Sequence, residues 1–121
     1  MRTPHSALVL LVVALATACA PAAPRSVAGP PSIEGRITAV ERSGDGTGTI
    51  RVEANPSERS GSDKAVVRIT PSTEIQQGDS ARVNFNALSK GLWARVWFVG
   101  PVRESYPVQA DAGRIEIDPT R

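Results

Sequence analysis

The chain has 121 residues, with 14 Lys plus Arg against 12 Asp plus Glu, 10 Gly, 10 Pro, one Cys and one His. That length suits one ordinary domain, and the near-balance of charge gives no basic surface strong enough to hold nucleic acid by electrostatics alone. A single Cys excludes an internal disulfide, and one Cys with one His excludes a zinc site of the usual kind, so no metal or cofactor is expected.

Residues 1–18 read as a secretory signal. Arg2, with His5 nearby, makes a short positive start; Ala7 to Ala16 is an uncharged apolar run; small Thr17 and Ala18 then lead to Cys19. The run is shorter than the ~20 apolar residues of a helical membrane span. Leu15-Ala-Thr-Ala-Cys19 resembles a bacterial lipobox, in which the Cys becomes the first mature residue and carries lipid on its sulfur. The large aliphatic residue stands four places before the Cys rather than three. The competing reading is a secreted protein whose Cys falls beside the cleavage site by chance. Lipidation is preferred because the sole Cys lies where the modification needs it.

A lipid on Cys19 would hold the protein firmly, since buried methylenes contribute ~0.8 kcal/mol each. The expected location is therefore the cell membrane, lipid-anchored on its extracytoplasmic face (the periplasmic side if the host has an outer membrane). Processing removes His5 and caps Cys19. The mature chain then offers neither imidazole nor free thiol, and no enzymatic activity is expected from such groups. Residues 19–31, with Ala-Pro-Ala-Ala-Pro and Gly-Pro-Pro, read as a flexible tether.

From Ser32 the pattern has period two. Ile33, Gly35, Ile37 and Ala39 alternate with Glu34, Arg36 and Thr38 in a first strand. The glycines of Ser43-Gly-Asp-Gly-Thr-Gly48 mark a turn. Ile50, Val52 and Ala54 form the inward face of a second strand, and Asn55 to Asp63 is a polar loop. Ala65, Val67 and Ile69 face inward on a third strand; Pro71 interrupts it, and Thr73-Glu-Ile75 extends it. Asn84 to Gly91 predicts one or two helical turns, capped by Asn84 or Asn86 and stopped by Gly91.

Leu92 to Val99 is the strongest strand, with Ala94, Val96 and Phe98 on one face and Trp93, Arg95 and Trp97 on the other; Gly100-Pro101 ends it. After an irregular stretch through Pro107, Ile115 and Ile117 mark a last strand. The pattern predicts an all-β domain over residues 32–121: a small five-stranded OB-like β-barrel with one short helix before the fourth strand. Closure hides sheet edges that a free five-stranded sheet would expose. A small open sandwich is the second choice.

Gly91-Leu-Trp-Ala-Arg-Val-Trp-Phe-Val-Gly-Pro-Val102, followed by Glu104-Ser-Tyr-Pro-Val-Gln-Ala110 and Ala112, resembles the YobA-like family of extracytoplasmic bacterial domains of unknown function. Ile33-Glu-Gly-Arg-Ile-Thr38 and Arg68-Ile-Thr70 fit its opening and middle strands, so the resemblance spans roughly Ser32 to Ile117. It implies an OB-like barrel, often lipid-anchored, with no assigned catalysis.

The candidate binding residues fall in two groups. Trp93, Arg95 and Trp97 make an aromatic–cation–aromatic stripe suited to stacking a base, a sugar or a partner's side chain. The alternative has Trp97 packed under a loop with only Trp93 showing. The corner from Gly100 to Pro107 carries Arg103, Glu104, Ser105 and Tyr106, and is either a binding loop or a tight turn in which the Tyr106 hydroxyl bonds to backbone.

Glu116 and Asp118 share a strand face, about 7 Å apart by strand rise. A solvated face is the preferred reading over paired-carboxylate catalysis, because nothing in the sequence lines a cleft around them. Gly44-Asp45-Gly46 is too short for a calcium loop, and Ser89-Lys90 does not make a dyad.

The leading expectation is a non-enzymatic module, anchored through Cys19, that binds an envelope protein, glycan or other envelope component. The alternative is an OB module for oligosaccharide or single-stranded nucleic acid that uses Trp93, Arg95 and Trp97; export and near-neutral charge disfavour nucleic acid. A hydrolase ranks third.

Overall fold

The computed structural model describes residues 29–55, 62–78 and 81–121. The signal, Cys19, most of the tether and the centre of the polar loop after the second strand lie outside the described residues. The strands are β1 (Ile33–Arg42), β2 (Gly48–Ala54), β3 (Lys64–Ile69), β4 (Glu74–Gln77), β5 (Ala81–Arg82), β6 (Trp93–Arg103) and β7 (Val108–Asp118).

Antiparallel pairing joins β3 to β2, β2 to β1, β1 to β6 and β6 to β7, and a parallel pairing of β3 with β7 closes the ring. This closed five-stranded barrel, with its first strand shared by both halves, is the OB-like arrangement. No strand of the ring keeps a free edge over its paired length, which removes the template for edge-to-edge association.

The alternation in the sequence sets the core. Ile33, Ile37, Ile50, Val52, Ala65, Val67, Ile69, Val96 and Ile115 are fully or almost fully buried inside the ring. Each large aliphatic side chain hidden this way is worth about 1.5–3 kcal/mol relative to exposure.

One register change alters the expected inward set. In β1, Ile37 pairs with Val52 and Ala39 with the adjacent Arg51, so Thr38 is an extra residue. The bulge turns the rest of the strand, and Val40, not Ala39, packs against the core. It also bends β1, which pairs with β6 over Ile33–Arg36 and with β2 over Gly35–Arg42. Gly35 lies where both partners meet, and a Cβ there would stand 2.0 Å from the Glu53 carbonyl oxygen.

After β3 the chain turns at Thr70–Thr73, where the Thr73 amide donates to the Thr70 carbonyl at 3.0 Å. The Thr73 hydroxyl donates to the Ala112 carbonyl at 2.7 Å and holds the turn against β7. β4 then continues along β7 in the same parallel sense, from Glu74 beside Arg114 to Gln77 beside Ile117. The two-residue β5 folds back on β4.

The expected helix is a single 3-10 turn, Phe85–Ala87, capped by the Asn84 side chain, which accepts from the Asn86 amide at 3.0 Å. Its buried Phe85, with Leu88 just beyond, closes the barrel end beside Gly48. The Arg42 guanidinium stacks 5.3 Å from the Phe85 ring and donates to the Leu88 carbonyl at 3.0 Å. The Leu88 amide donates back to the Phe85 carbonyl at 3.0 Å, and Leu88 itself is extended, which ends the turn.

Candidate functional site

β6 does not stop at Gly100-Pro101 as expected. Val99 pairs with Asp111 and Arg103 with Gln109, so β6 spends four steps where β7 spends two. Gly100 adopts φ +71°, and Pro101 has no amide to give to the ladder. The strand therefore buckles outward and resumes at Arg103. Residues in the buckle have no place in the core, and Val99 and Val102 are left 50% and 43% exposed. Tyr106, in the connection to β7, is 70% exposed.

The four residues expected to act at this corner do lie together. Arg103, Glu104, Ser105 and Tyr106 are all exposed. The Ser105 hydroxyl donates to the Pro107 carbonyl at 2.9 Å across the cis Tyr106–Pro107 bond. The Tyr106 hydroxyl does not bond to backbone; it donates to the Asp63 carboxylate at 3.3 Å. The Lys64 ammonium lies 6.0 Å from the Tyr106 ring centroid.

Beneath the buckle is a cleft of about 380 Å³, lined by Thr49, Val66 and Arg68 from β2 and β3, by Pro101 and Arg103, and by Gln109 and Asp111 from β7. Arg68 sits beside Asp111 in the parallel β3–β7 register and grips it with two bonds, Nε to Oδ1 at 2.8 Å and Nη2 to Oδ2 at 2.7 Å. The Arg68 hydrogen bonds hold the Asp111 carboxyl below its ordinary range, and the same contact raises the guanidinium. The cleft thus presents a fixed, neutralised fork beside the Arg103 cation. Sequence reasoning missed Arg68 and Asp111, because only the closure of the ring brings them together.

Trp93, Arg95 and Trp97 do share the outer face of β6, but the rings are not an open platform. Trp93 is 6% and Trp97 7% exposed. Arg121 and Arg36 lie 4.6 and 6.0 Å from the Trp93 ring centroid, and Arg114 lies 5.0 Å from that of Trp97. Such stacking on an aromatic face is attractive and displaces water from the ring. The Trp97 indole N–H donates to the Gly29 carbonyl at 2.9 Å, so the segment leading into β1 covers it. Arg95 is drawn to Glu34 at 3.2 Å and Glu116 at 3.7 Å.

Glu116 and Asp118 do border a shallow cleft, contrary to expectation: about 270 Å³ between Gly78, Trp93, Arg95 and Ile117. Glu116 is engaged by Arg114 as well as Arg95. Asp118 accepts from the Thr120 hydroxyl at 2.6 Å and amide at 2.9 Å, and these bonds hold its carboxyl below the ordinary range. A general acid needs the opposite shift, so Asp118 is unsuited to that role. Among the described residues no cluster of three or more His, Cys, Asp or Glu is arranged to hold a metal ion. No family model, curated protein or solved structure matches the chain.

Proposed function

We propose that this chain is a non-enzymatic binding module, anchored by lipid on Cys19 to the extracytoplasmic face of a bacterial membrane, and that it recognises an envelope component or a partner protein. The observation that carries the binding reading is the cleft under the β6 buckle. OB barrels use the outer face of their second and third strands, with the adjoining loops, to hold extended ligands, and this cleft lies on that face with Arg68, Arg103 and Gln109 at its wall. The anchor rests on the lipobox-like run ending at Cys19. Kinship with the YobA-like family is proposed on the Gly100–Ala110 run and agrees with a barrel that has no assigned catalysis.

The alternative, stacking of a glycan or single strand on Trp93, Arg95 and Trp97, would require Arg121 and Arg114 to leave the rings they cover.

Two measurements test the proposal. Cys19→Ala is expected to release the cleaved protein from membranes, and retention of a correctly cleaved mutant overturns the anchor. A photoreactive amino acid at Gln109 is expected to give discrete adducts in intact envelopes that the same group at exposed Asn86 does not. Equal labelling from both positions overturns the cleft as the recognition surface.

A further inference from the structure

We propose that the β6–β7 hairpin is a membrane seat: in the anchored protein Val99, Val102 and Tyr106 rest in the interfacial layer of the bilayer that holds the lipid. This rests on the Cys19 anchor proposed above.

Exposed apolar side chains are concentrated in one place. Among the described residues, the exposed large hydrophobics are Val99, Val102 and Tyr106, all in the buckle and hairpin. Isolated exposed aliphatics are ordinary, but their confinement to one projection is the pattern of an interaction surface. A tyrosine, with an apolar ring and a polar end, suits the boundary between lipid and water.

The chain arriving from the anchor joins the barrel on the same side. The Ser32 amide donates to the Val96 carbonyl at 2.8 Å, and the Phe98 amide donates to the Ser32 hydroxyl at 3.0 Å. With Gly29 held by Trp97, the segment before β1 lies along the part of β6 that runs on into the hairpin. From Cys19 to Gly29 the chain can span at most about 35 Å. From Trp97 to Arg103 is at most about 20 Å by strand rise, and the buckle shortens it. The link therefore reaches far enough to let the tip touch the bilayer, and it is short enough to keep the tip at millimolar effective concentration beside it.

Charge fixes which lipid chemistry is involved. At the tip Lys64 pairs with Glu53 at 4.0 Å, the Arg103 charge is offset in number by the adjacent Glu104, and Arg68 is spent on Asp111. The seat is apolar and aromatic, so it does not depend on anionic headgroups. Its contacts are too few to recruit an unanchored protein; they orient an anchored one and set the Arg68–Arg103 cleft close to the membrane surface.

The test uses the processed, lipidated protein in phosphatidylcholine vesicles. Val102→Cys carries an environment-sensitive fluorophore, the thioether at Cys19 being unreactive, and Asn86→Cys at the opposite barrel end carries the same label. The label at 102 is expected to shift to the blue, brighten severalfold and be quenched by a nitroxide on the lipid, with no change when phosphatidylglycerol is added. The label at 86 stays water-like. Tyr106→Asp is expected to abolish the response at 102 while leaving membrane retention intact. Water-like emission at both positions overturns the seat. A blue shift without nitroxide quenching also overturns it, because that assigns the surface to a second protein copy or partner. Failure of the anchor itself is read separately, as an intact mass without acyl chains. In that case a hexahistidine segment in place of Cys19 holds the protein on nickel-chelating lipid, and the same label pair reports whether the tip meets the bilayer.

Discussion

Glu34 on β1 accepts a hydrogen bond from the Trp93 indole N–H on β6 at 3.1 Å, although 59 residues separate them in sequence. The same carboxylate oxygen takes Arg95 Nε at 3.2 Å and Arg121 Nη1 at 3.2 Å. One acceptor thus ties two strands of the ring to the C-terminal residue. Glu34→Ala removes all three bonds and leaves an indole donor with little access to water. The expected loss is about 1–2 kcal/mol of unfolding free energy, read as a lower urea midpoint at unchanged slope.

Acid should weaken the fold through this same group. Burial pushes the Glu34 carboxyl up, but hydrogen bonds from Trp93 and Arg95, with the charges of Arg95 and Arg121, outweigh it and hold Glu34 below its ordinary range. Asp111 and Asp118 are held down as well. The unfolded chain therefore takes up protons first. Stability from these groups is complete above their unfolded values of about 4 and drains as pH falls through the lower folded values. Urea midpoints are expected to be level around neutrality and to fall below about pH 4, with a flatter acid limb in Glu34→Gln.

The covered tryptophans make a spectroscopic prediction. Native emission should lie to the blue and resist acrylamide, because both rings are capped by guanidinium groups. Arg121→Ala uncovers one face of Trp93, and Arg114→Ala one face of Trp97. Each is expected to shift emission to the red and raise the quenching constant. Strong quenching of the unaltered protein would return the open-platform reading to favour.

Two glycines should respond very differently to a methyl group. In Gly35→Ala the added carbon meets backbone, which cannot rotate away, so the cost should reach about 3 kcal/mol or more. Gly44 has φ +81° and open space around it, and Gly44→Ala should cost about 1–2 kcal/mol from backbone strain alone. Thermal melts of the two variants check the ranking.

Much of the barrel was legible because period-two alternation is a local signal. Ile50/Val52 and Ala65/Val67/Ile69 point inward as their spacing predicts, and the interruption at Pro71 with resumption near Glu74 is real. The start of β7 was harder to read, since inward Ala110 and Ala112 are too small to mark a hydrophobic face. β5 is only two residues long, and the buckle lets β6 run past a Gly-Pro pair that ordinarily stops a strand. The expected one or two helical turns are a single 3-10 turn, which ends where Leu88 becomes extended. At the candidate site, the grouping of Arg103, Glu104, Ser105 and Tyr106 follows from adjacency. The stacking of Arg36, Arg114 and Arg121 on the tryptophans does not, because those partners come from other strands and from the chain end.

The parallel seam between β3 and β7 has a consequence for how the molecule comes into being. Ala65 finds Val108, and Arg68 finds Asp111, each at a sequence separation of 43. When the polypeptide is delivered from its amino end, as from a ribosome or a translocation pore, the first three strands must wait as an incomplete sheet. The outer rim of β3 stays unsatisfied until β7 emerges. Premature release or a stalled carboxyl end would therefore yield an adhesive half-product rather than a smaller working domain.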